Sequence, residues 1–318
     1  MLSSDFTAEE VEVALFQMGP TKALGLDGMN ALFYQKFWHV VGETITMAVL
    51  DFLNSGNMVP DINHTNIVLI PKVKNPEKMS DFRPISLCNV IYKIISKVLA
   101  NRLKQVLPQI ISLTQSAFVL GRFITDNVLV AYEALHTMHC RKKGKKGSLA
   151  LKLDISEAYD HVEWPFLKEI MHKLGFPERW IDKVMSCFTT SSIYVLINGK
   201  PHGNIHPSRG IRQGDPLSPF FFFFFCVQRV SLLYWRRRNW RGKFMVFSFA
   251  KEHPKSPTCY LLMIHCYFSE QFKLKWKWLM RFFKHMLKPQ VKISTWRSHL
   301  YTSAATSQIV KKRRSNRF

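Results

Sequence analysis

The chain has 318 residues, of which 47% are hydrophobic, so it can bury a sizeable core and is neither disordered nor fibrous. Its 45 Lys and Arg outnumber its 22 Asp and Glu, a net charge of +23, which ordinarily indicates a polyanionic partner such as nucleic acid. The six cysteines lack metal-ligand spacing and no secretory signal begins the sequence. We therefore expect an intracellular protein, nuclear or cytoplasmic and not secreted. The apolar run Phe220 to Cys226 is too short to span a membrane, so no membrane association is expected.

Helices and strands are mixed along the first 226 residues, without internal repeats. Apolar spacing predicts helices over 7–18, 90–107, 126–138 and 155–174, and strands over 66–71, 149–154, 192–198 and 202–207. Thr7 and Glu10 form a capping box at the first helix, and Pro108 is expected to stop the second. Asn198-Gly199 predicts a hairpin turn. The basic stretch 141–147 is a loop, either a solvated surface turn or a nucleic-acid contact. This mixture predicts an α+β domain.

One carboxylate stands out by its position. Asp154 ends a hydrophobic strand, where the edge of a sheet meets solvent and a metal ion can bind. An Asp that only caps a following helix would give the same pattern. Two neighbouring features favour chemistry: Tyr159 follows five residues later, and glycines and prolines fix a tight backbone around Gln213 in the segment Arg209 to Pro219.

Seven sequence blocks follow one another in a fixed order: Lys22–Gly28, Ile70–Lys72, Asp81–Leu87, Ser96–Arg102, Gln115–Arg122, Lys152–Asp160 and Arg209–Pro219. In this order they resemble the reverse transcriptases of LINE-type, or non-LTR, retrotransposons, especially those of plant genomes. Members of that family usually carry proline where this chain has Leu24 and Leu26. Two rigid turn positions are therefore relaxed in the first block.

The resemblance implies an RNA-directed DNA polymerase that uses Mg²⁺, deoxynucleotides, an RNA template and a DNA primer. Asp154 would be the first metal-binding carboxylate of a two-metal centre. Tyr159 would be the steric gate that excludes a ribose 2′ hydroxyl. Gln213 and Gly214 would flank the incoming nucleotide and the template. Arg83 would lie near the triphosphate, since a planar guanidinium suits phosphate oxygens.

Plain structural roles remain open for two charged residues. Arg83 could instead pair with Asp81 in a surface turn, and Asp215 before Pro216 is better explained by turn geometry than by catalysis.

The implied fold is an incomplete right-hand polymerase with a split βαβ core. It would comprise mainly helical fingers over residues 1–148, a partial palm over 149–226 and an aberrant basic tail over 227–318 without a native fold.

The second half of the implied catalytic centre is missing from the sequence. The family supplies further carboxylates from a hairpin that reads Phe-Ala-Asp-Asp, whereas no Asp follows Asp215 here and the only later acids are Glu252 and Glu270. Residues 227–318 hold 21 Lys and Arg and 2 acids, a net charge of +19, which leaves +4 for residues 1–226. The two parts of the chain therefore differ sharply in charge composition.

A shift of reading frame after Cys226 explains this break. With the third base of each codon joined to the first two of the next, residues 227–231 can read AEGF and Met245-Val246 must give Gly. In the same offset, residues 258–268 can read LLFADDSLLF and residues 288–298 can read ASGQNINLEK. We therefore expect a reverse transcriptase domain that is truncated, frameshifted and inactive. The alternatives are a non-catalytic basic nucleic-acid-binding remnant and a pseudogene product without a role.

Overall fold

The computed structural model divides the chain into two compact units, residues 1–122, 157–238 and 252–257 in the first and residues 123–156, 239–251 and 258–318 in the second. It describes residues 2–59, 61–111, 119–140, 148–155, 159–160 and 162–221, together with three strands at 243–253, 256–266 and 291–297. For 148–155 and these three strands, the description covers the backbone. The predicted loop over 141–147 lies outside the described residues.

Among its described residues, the first unit contains six α-helices, a short 3-10 helix (Met79–Asp81) and four strands. The helices are α1 (Ala8–Phe16), α2 (Ala31–Lys36), α3 (Trp38–Ser55), α4 (Val90–Ile110), α6 (Trp164–Lys173) and α7 (Glu178–Thr189). The strands are β1 (His64–Pro71), β2 (Phe82–Cys88), β4 (Ser192–Ile197) and β5 (Lys200–Ile205). Among the described residues, no helix is both long and apolar enough to cross a bilayer.

The four strands form one mixed sheet in the order β2-β1-β4-β5. Strands β1 and β2 are antiparallel, with Ile70 opposite Arg83, whereas β1 and β4 are parallel, with His64 opposite Ser192. The hairpin β4–β5 turns at Asn198 and Gly199, whose φ angles are 52° and 78°. Two consecutive positive φ values are what a tight two-residue hairpin loop requires, so the predicted hairpin is confirmed.

Helix α4 forms the centre of the helical core, and α1 and α3 pack against it. Its apolar residues recur at helical spacing and are almost fully enclosed, as are the large aromatic side chains of α7. Among the largest enclosed side chains in this core are Phe52, Tyr92, Ile95, Leu99, Leu103, Trp180 and Phe188. The core therefore joins segments that lie far apart in the sequence.

A buried arginine ties the N-terminal segment to α4. Arg102 is 5% exposed, and its Nε and Nη2 donate to the two carboxylate oxygens of Glu10 over 2.6 and 2.7 Å. It also donates to the backbone carbonyls of Ser4 and Asp5, and its guanidinium lies 3.5 Å from the ring centroid of Phe6. One cation thus holds three consecutive residues and the first turn of α1.

The ion pair of Glu10 makes stability depend on pH. Burial acts to raise the pKa of Glu10, but hydrogen bonds from Arg102 and Thr7 outweigh it and lower that pKa below its usual value. A depressed pKa contributes stability that is complete above the unfolded value of about 4.5 and is lost as the pH falls through the folded value. We expect Glu10→Gln to lose stability at pH 7 and to approach the unmodified chain as the pH falls below about 4.

Urea unfolding at a series of pH values measures this difference in the free energy of unfolding. Glu12→Gln, at an exposed position of the same helix, is the control and should show no such trend. A difference between Glu10→Gln and the unmodified chain that stays constant from pH 7 to pH 3 would contradict the prediction.

Two predicted helix boundaries were wrong. The helix expected over 155–174 begins only at Trp164, since Ile155 belongs to a strand and residues 159–160 form a turn. Pro165 explains the late start, because proline favours the first turn of a helix and disfavours helical backbone just before it. Helix α4 also runs past Pro108, and Arg122 donates to the carbonyls of Pro108 and Ile111 at its end.

Helix α5 (Ile124–Cys140) and a second sheet belong mainly to the second unit. The sheet has the order β6-β7-β3-β8, with β3 (Ser148–Ile155) paired antiparallel to β7 (Ser256–Cys266) and to β8 (Val291–Arg297), and with β6 (Lys243–His253) at the edge. Strand β3 and the hairpin β4–β5 therefore lie in different sheets. The division into fingers, a partial palm and a tail without a native fold stays a prediction.

Candidate functional site

The loop from Arg209 to Pro219 is held along the free edge of β2. The amide of Ser86 donates to the carbonyl of Gln213 over 2.9 Å. Gly214 has a φ of +113°, and a Cβ there would lie 2.9 Å from the carbonyl oxygen of Ser86. Only glycine fits both this backbone conformation and this close approach. The half-buried Gln213 and the exposed Gly214 are thus fixed beside the strand that carries Arg83.

Arg83 lies three residues before Ser86, about 10 Å along the strand. The carboxylate of Asp81 accepts the amides of Glu77 and Lys78 over 3.1 and 3.0 Å, and these bonds lower the pKa of Asp81. Among the described residues, the guanidinium of Arg83 has no hydrogen-bond or ion-pair partner. The alternative in which Arg83 pairs with Asp81 was therefore wrong, and the half-buried Arg83 can donate to a ligand.

Backbone hydrogen bonds bring Tyr159 to the start of the same loop. The amide of Ile211 donates to the carbonyl of Tyr159 over 2.8 Å, and the amide of Gly210 donates to the carbonyl of Val162 over 2.7 Å. The indole of Trp164 donates to the carbonyl of Gly210 over 2.7 Å. Tyr159 therefore contacts the start of the loop that carries Gln213 and Gly214, and this loop bonds to the strand that carries Arg83. Backbone hydrogen bonds thus connect the segments of four predicted site residues.

Asp215 serves the geometry of the turn, as its sequence context indicated. One carboxylate oxygen accepts the amide of Leu217 over 3.1 Å. The other accepts the hydroxyls of Ser218 and Tyr92, each over 3.1 Å. Because Asp215 is 2% exposed and turned into the protein, it does not face a ligand.

Sequence reasoning missed the buried cluster beneath the loop. Arg212 is 6% exposed and donates to the side chains of Asn63 and Thr65 and to the carbonyl of Cys187. Burial raises the pKa of Cys187 and of Tyr92, so both remain protonated at neutral pH. An arginine inside a Gly- and Pro-rich loop was the available signal, but its distant partners could not be read from the sequence.

The first block is well held despite its missing prolines. The amide of Leu26 donates to Oδ1 of Asn89 over 2.8 Å, a bond that proline could not make. Lys93 donates to the carbonyl of Ala23 over 2.8 Å, and a Cβ at Gly25 would collide with the backbone of Asn89. The start of α4 thus supports this loop through hydrogen bonds.

Asp154 is the next-to-last residue of β3, in the second unit, whereas the other four predicted site residues belong to the first. In the backbone register it lies opposite Tyr260 of β7 and Lys292 of β8. Among the described residues, no three His, Cys, Asp or Glu side chains are grouped to hold a metal ion. The described residues do not supply a complete ligand set for Mg²⁺, and the role of Asp154 stays a prediction.

Comparison with known proteins assigns the class. A family model described as reverse transcriptase (RNA-dependent DNA polymerase) matches residues 70–246, more than half of the chain. The chain therefore belongs to the reverse transcriptase family. Within it, the chain is a reverse transcriptase domain of the LINE, or non-LTR retrotransposon, type, as its relatives show.

Two of these relatives illustrate the extent of the similarity. The chain is 32% identical over 237 residues to the transposon TX1 uncharacterized 149 kDa protein of Xenopus laevis, which covers 73% of this chain and 18% of that protein. It is 28% identical over 170 residues to the Pol polyprotein of the type-2 retrotransposable element R2DM of Drosophila melanogaster, covering 52% of this chain and 15% of that protein. The chain thus spans less than a fifth of the length of either relative.

Proposed function

We propose that the loop 209–219, strand β2 and Tyr159 form the nucleotide-binding side of an RNA-directed DNA polymerase. The observation that carries the proposal is the backbone bond between Ser86 and Gln213. This bond fixes Gln213 and Gly214 beside the strand that carries an arginine without a described partner. Arg83 would bind the triphosphate, Tyr159 would meet the sugar, and Gln213 with Gly214 would contact the base pair.

Asp154 would be one ligand of Mg²⁺ in this proposal. The sequence supplies no Asp after Asp215, and a single carboxylate gives two divalent ions too little negative charge for a two-metal site. We therefore infer that this chain has the substrate-binding half of a polymerase site and lacks catalysis. The frameshift after Cys226 is our proposed cause.

A plant-like origin belongs to the same proposal. The chain is 50% identical over 48 residues to the uncharacterized mitochondrial protein AtMg01250 of Arabidopsis thaliana, a match that covers 15% of this chain and 38% of that protein. This short, strong match supports kinship with plant sequences. The genomic sequence on both sides of the gene would test it.

Arg83→Ala should weaken the binding of a deoxynucleoside triphosphate to the primed chain about tenfold or more, since a charged hydrogen bond contributes about 1.5–3 kcal/mol. Arg83→Lys should lose less, because it keeps the charge and loses the planar fork. Equilibrium binding of a labelled triphosphate in the presence of an RNA template and DNA primer measures both.

The control for this experiment is Arg179→Ala, which removes an exposed arginine on α7 and should leave triphosphate binding unchanged. Equal losses for Arg83→Ala and Arg179→Ala would mean that only net charge matters. That outcome would contradict the site.

A second candidate function is nucleic-acid binding without catalysis, and the net charge of +19 over residues 227–318 favours it. Binding carried by this charge would be independent of sequence and would weaken steeply with salt, because it releases counterions. Its affinity for duplex should therefore be unaffected by Arg83→Ala. Binding of duplex is measured between about 50 and 200 mM salt, a range over which the Debye length falls about twofold. A steep loss of affinity over this range separates charge-driven binding from the nucleotide site.

A further inference from the structure

The strongest unexplained feature of the first unit is the buried guanidinium of Arg212, which directly precedes Gln213. Nη1 donates to Oδ1 of Asn63 over 2.6 Å and to Oγ1 of Thr65 over 2.9 Å. Nη2 donates to the carbonyl of Cys187 over 2.9 Å, and the guanidinium lies 4.0 Å above the ring centroid of Tyr92. One side chain thus joins β1, α4 and α7 beneath the loop.

The end of α7 explains why a cation is stable at this place. The carbonyl of Cys187 lies in the last turn of the helix, where carbonyls lack partners within the helix and the helix dipole favours positive charge. The side-chain amide of Asn63 donates to the same carbonyl over 3.1 Å. Although burial acts to lower it, neighbouring groups, among them Asp215, raise the pKa of Arg212. The side chain therefore stays charged.

The other end of the Gln213-Gly214 pair is anchored in the same way. Asp215 follows Gly214 directly, is 2% exposed, and accepts the hydroxyl of Tyr92 over 3.1 Å. Tyr92 thus lies under Arg212 with its ring and binds Asp215 with its hydroxyl. The residues on both sides of the pair converge on one buried tyrosine.

We propose that Arg212, Asp215 and Tyr92 form a clamp that positions Gln213 and Gly214 against Ser86. This proposal rests on the proposed nucleotide site, and it makes Arg212 a positioning residue that touches no ligand itself. A buried cation is costly to desolvate, and its Nε has no partner among the described residues. Replacing a buried charge by an apolar side chain of similar volume is often neutral for stability, so we infer that the guanidinium serves geometry more than stability.

Two buried arginines in the same unit allow a matched test. Arg212→Lys keeps the charge but loses the planar fork and the stacking on Tyr92. Arg102→Lys makes the same change at a 5% exposed arginine that also stacks on an aromatic ring, and it lies outside the loop. We expect both variants to lose stability, so only local readouts separate them.

The first readout is hydrogen exchange at single amides of the full chain. Arg212→Lys should speed the exchange of Ser86 and Ile211, whose amides bond to Gln213 and Tyr159, about tenfold more than Arg102→Lys does. Should Arg212→Lys fail to fold, Tyr92→Phe keeps the ring, removes the hydroxyl, and should speed exchange at Leu217, which bonds to Asp215. Equal exchange at these amides in the loop variants and in Arg102→Lys would overturn the clamp.

The second readout is the binding of deoxythymidine triphosphate to the chain with an RNA template and a DNA primer. We expect Arg212→Lys to weaken this binding about tenfold and Arg102→Lys to leave it unchanged. If the unmodified chain binds no triphosphate, the proposed function fails, while the exchange experiment still decides the clamp. Loosened exchange with unchanged triphosphate binding would overturn the positioning role.

Discussion

Inserting one nucleotide beside the codon of Cys226, or deleting two, should convert the present chain into a template-dependent DNA polymerase. The restored frame would read AEGF, a Gly, FADD and ASGQ at about the spacing that now separates Val227, Met245, Met263 and Lys288. The second Asp of FADD is forced, because the codon of methionine ends in G and that of isoleucine begins with AT. Two new carboxylates would then join Asp154 to hold the metal ions.

Primer extension on an RNA template measures this change. The present chain should give no extension, and Asp154→Ala should cause no further loss. In the restored chain, the same substitution should abolish extension, which makes Asp154→Ala the matched control for both forms. Incorporation by the present chain that Asp154→Ala abolishes would refute the proposed loss of catalysis.

The codon of Leu262 offers a separate check on the frameshift. The first Asp of FADD can appear only if that codon is CTG or TTG, because its last base must be G. Any other leucine codon there would remove the main support for the frameshift. The restored protein should also regain acidic residues in its last third, so its net charge should fall well below +23.

Arg102→Ala should lower the free energy of unfolding by about 3–5 kcal/mol, since it breaks a buried ion pair and leaves the other partner behind. Its guanidinium satisfies Glu10 and the carbonyls of Ser4 and Asp5, and it covers the ring of Phe6. A typical domain is stable by about 5–15 kcal/mol, so the loss should be evident at 25 °C.

Urea unfolding followed by circular dichroism measures this loss. Arg179→Ala removes an exposed arginine and should change stability by less than about 0.5 kcal/mol. The double variant with Glu10→Gln should lose less than the two single variants together, because they share one interaction. Strict additivity, or a loss below about 1 kcal/mol for Arg102→Ala, would show that the pair is not coupled.

Features fixed by neighbouring residues could be predicted from the sequence. The capping box of Thr7 and Glu10, the hairpin turn at Asn198-Gly199 and the turn role of Asp215 each depend on residues within three positions. Helix α6 was predicted too early because Asp160 and its neighbours have no strong helix-breaking residue, whereas Pro165 sets the observed start. Residues close together in the sequence thus predicted which helices and turns form better than they predicted where the helices begin.

Features made by distant residues could not be predicted without the structure. Arg212 meets Asn63, which lies 149 positions away in the sequence, and Cys187, which lies 25 positions away. The docking of Gln213 on Ser86 joins two blocks that the resemblance treats separately. The roles of the named site residues therefore stay predictions, and the buried cluster beneath Gln213 could be found only in the structure.

The parallel pairing of β1 with β4 affects how the first unit folds. His64 and Ser192 are 128 positions apart. The chain must therefore close a long loop, at a cost in entropy, before these two strands can form hydrogen bonds. Such non-local pairing is slow, on the order of milliseconds to seconds. During synthesis, β1 can pair with β4 only after β4 has emerged from the ribosome. All four strands of this sheet and the loop 209–219 are complete by Pro219, so the proposed change of frame after Cys226 would come too late to prevent their assembly.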